Sequence, residues 1–256
     1  MNIRLLGAHN CESESTKLVS LLIDDVLAID AGAITSTLTF EAQQKIKVVL
    51  LTHQHYDHIR DIPALAMNLF LRGATITIYS TPVVYDAVTT HLLDDKLYPN
   101  FHQHPPDKPT LRFTTIQPHQ AELVEGYSVL AVPVNHSVPA VGYQVTSPDG
   151  KAVFYTGDSG PDLAKCWQHV SPQLLIIEVT ASDKYKKWSA KSGHLTPSLL
   201  KQELTTFQET NSYLPRVVVV HMNPNLEKEI TKEIAAVERE LGTSITMGYE
   251  GMELKL

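Results

Sequence analysis

Hydrophobic and polar positions along the chain follow two periods, and the places where the period changes mark out the elements. Ile3 to Leu6, Leu18 to Ile23 and Val26 to Ile29 are short apolar runs that predict three strands, the last two joined at Asp24-Asp25. Asp30-Ala31-Gly32-Ala33 is a turn, Thr35 to Gln44 a weak helix, and Lys47 to Leu51 a β-branched run that predicts a buried strand. A helix opens at Asp61-Ile62-Pro63, with proline near its first turn, and continues through Leu71. Ala74 to Tyr79 is the next strand, and Thr81-Pro82 begins a helix to about Leu93. Asp94 to Pro109 is irregular and proline-rich, and reads as a loop because the strand pattern resumes at Leu111. From Leu111 to Phe154 the period is two, broken by turns at Glu125-Gly126 and Pro148-Asp149-Gly150. Helices then alternate with strands: a helix from Pro161 to about Val170, a strand from Leu174 to Val179, a helix from Pro197 to about Glu209 capped by Thr196, and a strand from Val217 to Val220. An amphipathic helix from Leu226 to Leu241 and short strands at Ser244 to Met247 and Gly251 to Leu256 finish the chain. One domain spanning residues 1–256, two sheets flanked by helices, is the economical arrangement.

Composition changes this picture little. Apolar residues make up 43% and charged residues 19% of 256, ordinary values for a globular protein. A formal charge of −7 argues against a protein that tracks along nucleic acid, so nucleic acid is not the expected partner. It leaves room for a small anion held by cations, because bound dications reverse the local field. Cys11 and Cys166 are far apart and without a partner motif, which fits a reducing compartment. The first residues lack the apolar core of a signal peptide, and no run approaches the roughly 18 apolar residues of a membrane span. A cytoplasmic protein with no membrane partner is expected.

Chemistry concentrates at strand ends. Directly after the Lys47–Leu51 strand comes His53-Gln54-His55-Tyr56-Asp57-His58. His53 and His55, two apart in an extended segment, point to one side and can grip one cation; Asp57 and His58 can aim at a second. Asp30 stands at another strand end before a glycine turn, and is expected to support ligands rather than bind metal. His136, Asp158 and His221 each follow an apolar strand in the same way. His102 and His104 repeat the spacing, but no strand precedes them and two prolines follow, so a solvated or substrate-facing loop is expected.

The ordered set His53, His55, Asp57, His58, His136, Asp158 and His221 resembles the metallo-β-lactamase superfamily. The resemblance implies a four-layer αββα sandwich with a dinuclear site between its sheets. It implies that His53, His55 and His136 hold one metal, that Asp57, His58 and His221 hold the other, and that Asp158 bridges them. The metal is zinc by default, with manganese or iron also compatible. Gln54 stands where the flavo-diiron branch has a glutamate ligand, which argues against that branch. Gly193-His194-Leu195-Thr196-Pro197, Glu178 before Thr180, Tyr98-Pro99-Asn100-Phe101 and His221-Met222-Asn223-Pro224 are similar to class II 3′,5′-cyclic-nucleotide phosphodiesterases. So is His136-Ser137-Val138-Pro139-Ala140-Val141-Gly142-Tyr143, while Asn223 departs from the pattern, which has a lysine or similar polar residue there.

This resemblance implies hydrolysis of cyclic nucleotides such as cAMP to 5′-monophosphates by a hydroxide bridging two metals roughly 3.5–4 Å apart. Asp57 would position that hydroxide, and His194, held by Glu178, would protonate the leaving oxygen. Tyr98 and Phe101 would stack on the base. The alternatives are a tRNase Z-like endonuclease or another phosphodiester hydrolase, since tRNase Z shares the His194 and Glu178 features, and then a non-catalytic sensor on the same scaffold. The basic, flexible tRNA-gripping arm usual in tRNase Z is not evident. By family analogy a homodimer would form through the helices after Asp61 and the proline-rich loop.

Overall fold

The structure, a computed structural model, describes residues 1–256. In chain order the first half comprises β1 (Asn2–Gly7), β2 (Ser20–Ile23), β3 (Leu27–Ile29), α1 (Ile34–Thr37), α2 (Phe40–Gln43), β4 (Val48–Leu50), α3 (Tyr56–Ile59), α4 (Ile62–Phe70), β5 (Ile76–Ser80), α5 (Pro82–His91) and β6 (Leu111–Thr115). The second comprises β7 (Ala121–Val124), β8 (Tyr127–Val134), β9 (Ala140–Thr146), β10 (Ala152–Tyr155), α6 (Ala164–Trp167) and β11 (Leu174–Glu178). A 3₁₀ turn at Asp183–Tyr185 leads into α7 (Lys186–Ser192), α8 (Pro197–Asn211), β12 (Arg216–Val220), α9 (Glu227–Leu241), β13 (Ile245–Met247) and β14 (Glu253–Lys255).

The strands form two seven-stranded sheets, ordered β14-β1-β2-β3-β4-β5-β6 and β13-β12-β11-β10-β9-β8-β7. Each sheet is antiparallel at its start and parallel afterwards: β1 to β3 then β3 to β6, and β7 to β10 then β10 to β13. Local sequence dictates the switch. Tight turns at Asp24-Asp25 and Glu125-Gly126, all at positive φ, can join only antiparallel neighbours, whereas parallel neighbours need a crossover, mostly helical here.

The sheets pack face to face over a core of 25 buried residues, and helices cover both outer faces through clusters of 23 and 21. This is the four-layer αββα sandwich. Strands buried on both faces explain the continuous apolar runs. Along β2, Leu21 and Ile23 face the other sheet while Leu22 faces the helices; along β12, Val218 and Val220 turn inward while Val217 and Val219 turn outward.

Three helical expectations shift. The weak helix from Thr35 to Gln44 divides at Leu38, where Thr39 caps α2 by accepting from the Ala42 N–H. The helix expected from Pro161 forms only at Ala164–Trp167, because Asp162 adopts a left-handed φ of 75° and Glu203 takes the N–H groups of Asp162 and Leu163. Conversely, α7 was not expected: it is short and lysine-rich, with no apolar period to announce it. No helix is long and apolar enough to cross a membrane.

Candidate metal centre

The strands that matter run in parallel directions, so their C-terminal ends gather along one edge of each sheet. His53 leaves β4, His136 follows β8, Asp158 follows β10, Glu178 ends β11 and His221 follows β12, while Asp57 and His58 sit on α3. The two edges face one another, and the side chains form two clusters.

In the first, His53 Nε2 and His136 Nε2 each lie 3.1 Å from His55 Nδ1. The outer nitrogens are spoken for: His136 Nδ1–H donates to the Gly193 carbonyl at 2.8 Å, and His53 Nδ1–H faces Thr52 Oγ1 at 3.0 Å. Thr52 in turn donates its hydroxyl to Asp30. These partners fix the tautomers and turn lone pairs inward. Burial pushes the His53 imidazole well below its usual pKa, and burial likewise lowers His55 and His136. Three neutral nitrogens therefore converge on one point.

In the second, His58 Nε2 lies 3.4 Å from Asp57 Oδ2 and 3.2 Å from Asp158 Oδ1, and His221 Nε2 lies 3.2 and 3.3 Å from the same two oxygens. His58 Nδ1–H donates to Asp30 Oδ2 at 2.7 Å and His221 Nδ1–H to Thr180 Oγ1 at 2.8 Å. Burial disfavours charge on His58, yet Asp158, Asp30 and Asp57 override it and raise its pKa well above the usual value. Burial would raise Asp57 and Asp158, but the facing imidazoles, His58 first for Asp57 and His221 first for Asp158, hold both well below the carboxylate range.

Asp158 connects the clusters. Its Oδ1 faces His58 and His221, and its Oδ2 lies 3.8 Å from His53 Nε2 and 3.9 Å from His136 Nε2. Buried His58 Nε2 and Asp158 Oδ1 have no hydrogen-bond partner. Such orphans are costly in an ordinary interior and are what cation ligands look like before the cation is counted. The donor set, five imidazoles and two carboxylates split by a shared carboxylate, fits two divalent metals.

The backbone bends to deliver these groups. Asp30 and His221 both adopt left-handed φ, 58° and 63°, which a side chain other than glycine tolerates at some cost. Gly193, at φ 77°, approaches so closely that a Cβ would lie 2.7 Å from Ser137 N and 2.8 Å from His136 Cα. Only glycine can bring that carbonyl to His136.

Beside the second cluster, His194 Nδ1–H donates to Glu178 Oε1 at 2.7 Å, and its ring stacks on His221 at 5.6 Å. Burial opposes charge on His194, but Glu178, reinforced by Asp158 and Asp57, raises its pKa to about 9. Glu178 also accepts from the Ser159 N–H and from the Thr180 hydroxyl at 2.8 Å. Thr180, which sequence reasoning missed, thus joins Glu178 to His221; its signal was a hydroxyl two residues beyond a strand-end glutamate. Asp30 takes the supporting place expected for it.

The aromatic pair is placed otherwise. Phe101 is 2% exposed and packs in the outer core, 5.3 Å from Phe70 and 6.2 Å from Tyr98. The stacking role expected for Phe101 is corrected: its ring pins the proline-rich loop down, and Tyr98 packs against the same cluster. His102 stands edge-on to Tyr85 and Phe113 and, with His104, joins neither histidine cluster.

A sandwich of two such sheets with this ligand order along its edge is a metallo-β-lactamase fold. Residues 21–222 match the profile of the Beta-lactamase superfamily domain, and the chain belongs to the metallo-β-lactamase superfamily of metal-dependent hydrolases. It is 28% identical over 177 residues to ribonuclease Z of Methanococcus maripaludis strain C6, covering 64% of this chain and 56% of that protein. The chain spans about half the length of the curated relatives it matches. The structure of yeast PDE1 superposes with a TM-score of 0.83 at 16% identity over 100% of this chain and 99% of that one. Human tRNase Z, short form, superposes at 0.70 with 20% identity over 100% and 99%. With ribonucleases among the relatives, net charge is no ground for excluding RNA, and that expectation is not kept. Charge averaged over a surface says little about the field at one cleft.

Proposed function

We propose that the chain is a dinuclear-metal phosphodiesterase that opens 3′,5′-cyclic nucleotides such as cAMP to 5′-monophosphates. His53, His55 and His136 would hold one cation, Asp57, His58 and His221 the other, and Asp158 would stand between them. The two cations, zinc by default, would supply an acidified water and counter-charge for the phosphoryl oxygens. The observation that carries the reading is the division of Asp158, one oxygen to each cluster, with His194 beside it.

The remaining chemistry belongs to protein groups. Asp57 Oδ2 faces the second cluster from its open side and is the group to orient the attacking water and take its proton. His194 gives its Nδ1–H to Glu178, which leaves Nε2–H to donate to the departing 3′-oxygen. Glu178 stabilises the imidazolium and fixes the plane of the ring.

Cyclic nucleotides are favoured over longer substrates by the higher superposition score on yeast PDE1, 0.83 against 0.70 for human tRNase Z, and by the His136–Tyr143 and His221–Pro224 motifs. A second reading, a ribonuclease Z-like endonuclease, is favoured by the curated relatives. Purified protein with its metal content measured, assayed on cAMP, cGMP and pre-tRNA, separates the two. Cleavage of cAMP or cGMP supports the first, and cleavage of pre-tRNA alone replaces it with the second. The same reading expects a cytoplasmic enzyme.

A further inference from the structure

With Phe101 buried, the base of a nucleotide needs another flat surface, and one lies next to Thr180. A cavity of about 460 Å³ is lined by Asn10, Thr180, Tyr185, Trp188, Asn223 and Leu226, among others. Thr180 is also the residue whose hydroxyl touches Glu178 and His221, so the cavity opens beside the cleft and not at a remote face. We propose that this cavity is the nucleobase pocket, with Trp188 and Tyr185 as the stacking surface and the Asn10 and Asn223 amides reading the base edge. It rests on the phosphodiesterase reading above and names how that site selects its substrate.

The aromatic pair is out of place by any packing account. Trp188 is 60% exposed and Tyr185 39%, whereas the other tryptophan, Trp167, is fully buried. Neither exposed ring belongs to a core cluster. An exposed tryptophan lining a concave, half-apolar cavity is the arrangement that binding a flat ring uses. Leu226 completes the apolar wall.

The amides supply complementary polarity. Asn10 Oδ1 is buried with no hydrogen-bond partner and so calls for a donor. Asn223 Oδ1 already accepts from the Asn225 N–H at 3.0 Å, which leaves the Asn223 Nδ2 donors for a ligand. An acceptor beside a donor matches a base edge carrying an amino group next to a ring nitrogen or carbonyl. In sequence, Lys184, Lys186, Lys187 and Lys191 flank the two aromatics within eight positions, and Lys184 Nζ lies 5.5 Å from the Tyr185 ring centroid. Such a base could come from a mononucleotide or from the end of an RNA; the pocket chemistry is common to both.

Two tryptophans, one of them buried, make the test direct. Titrating metal-loaded protein with 5′-AMP should quench the exposed emission saturably, while ribose 5-phosphate, which has no base, should not. Trp188→Ala should weaken AMP binding, measured by calorimetry, roughly 5- to 150-fold, the worth of one stacked base, and leave ribose 5-phosphate binding and the metal count unchanged. Trp188→Phe should restore most of the affinity. Quenching by a short RNA ending in adenosine, but not by AMP, would keep the pocket and assign its base to an RNA end. Equal weakening of AMP and ribose 5-phosphate in Trp188→Ala, or no quenching by either AMP or the RNA, would overturn the pocket. Failure of the cyclic-nucleotide reading shows separately, as absent cAMP turnover by the wild type with AMP quenching intact.

Discussion

The two halves of the candidate metal centre are built with opposite chemistry. The His53, His55 and His136 cage is assembled from neutral imidazoles, kept neutral chiefly by burial. The Asp57, His58 and His221 cage is an ion-pair network in which carboxylates hold His58 charged against its burial. The first offers its lone pairs directly; in the second the raised pKa of His58 sets a proton in competition with metal at Nε2. Imidazoles thus become unlike ligands when their neighbours differ: His136 and His53 lean on a carbonyl and a hydroxyl, whereas His58 leans on the Asp30 carboxylate and faces Asp57.

Predictions that bear on this contrast follow from the largest effect down. Asp158→Ala removes the one group both cages share, so metal analysis should find both cations depleted and turnover of cAMP abolished; full activity would refute the bridging role. His194→Ala should keep both cations yet lower kcat by roughly 10²- to 10⁴-fold, the range of general acid–base help. Metal loss in that variant would make His194 a ligand instead. Asp30→Asn loosens chiefly the network side, where Asp30 holds His58 directly, and reaches the first cage only through Thr52: the second cation should bind roughly 10- to 100-fold more weakly, with the first affected less, in stepwise titrations.

Smallest is a pH effect whose sign separates the cages. His58 has a raised pKa, so at neutral pH its proton must leave before Nε2 can bind metal. Second-cage affinity should therefore climb with pH until that raised pKa is passed. His53, His55 and His136 have lowered values, so first-cage affinity should be flat above about pH 6.5. Proton release during stepwise zinc addition in weak buffer checks this: near zero for one equivalent and measurable for the other. Equal release from both would erase the distinction.

How much of this was legible in the sequence depended on burial. Val217 to Val220 and Leu174 to Val179 read as strands because both faces are covered, and residues placed just beyond such runs, Asp158 and His221 among them, announced themselves. Long-range partners did not. Thr180 and Gly193 stand in recognisable local motifs, but their partners, His221 and His136, lie 41 and 57 positions away, and no local pattern encodes that pairing. The resemblance of Tyr98–Phe101 places a stacking pair on the irregular loop, yet tertiary packing buries Phe101 against Phe70 of α4. Exposed Tyr185 and Trp188 sit among lysines just before Gly193-His194, and no hydrophobic period marks them.

Asp158 is the one carboxylate facing both clusters. Metal equivalents per chain, counted by elemental analysis after reconstitution and removal of excess ion, test its bridging role most directly. Two are expected in the wild type and substantially fewer in Asp158→Ala. A wild-type chain that binds one or none, or an Asp158→Ala chain that still binds two tightly, would contradict it.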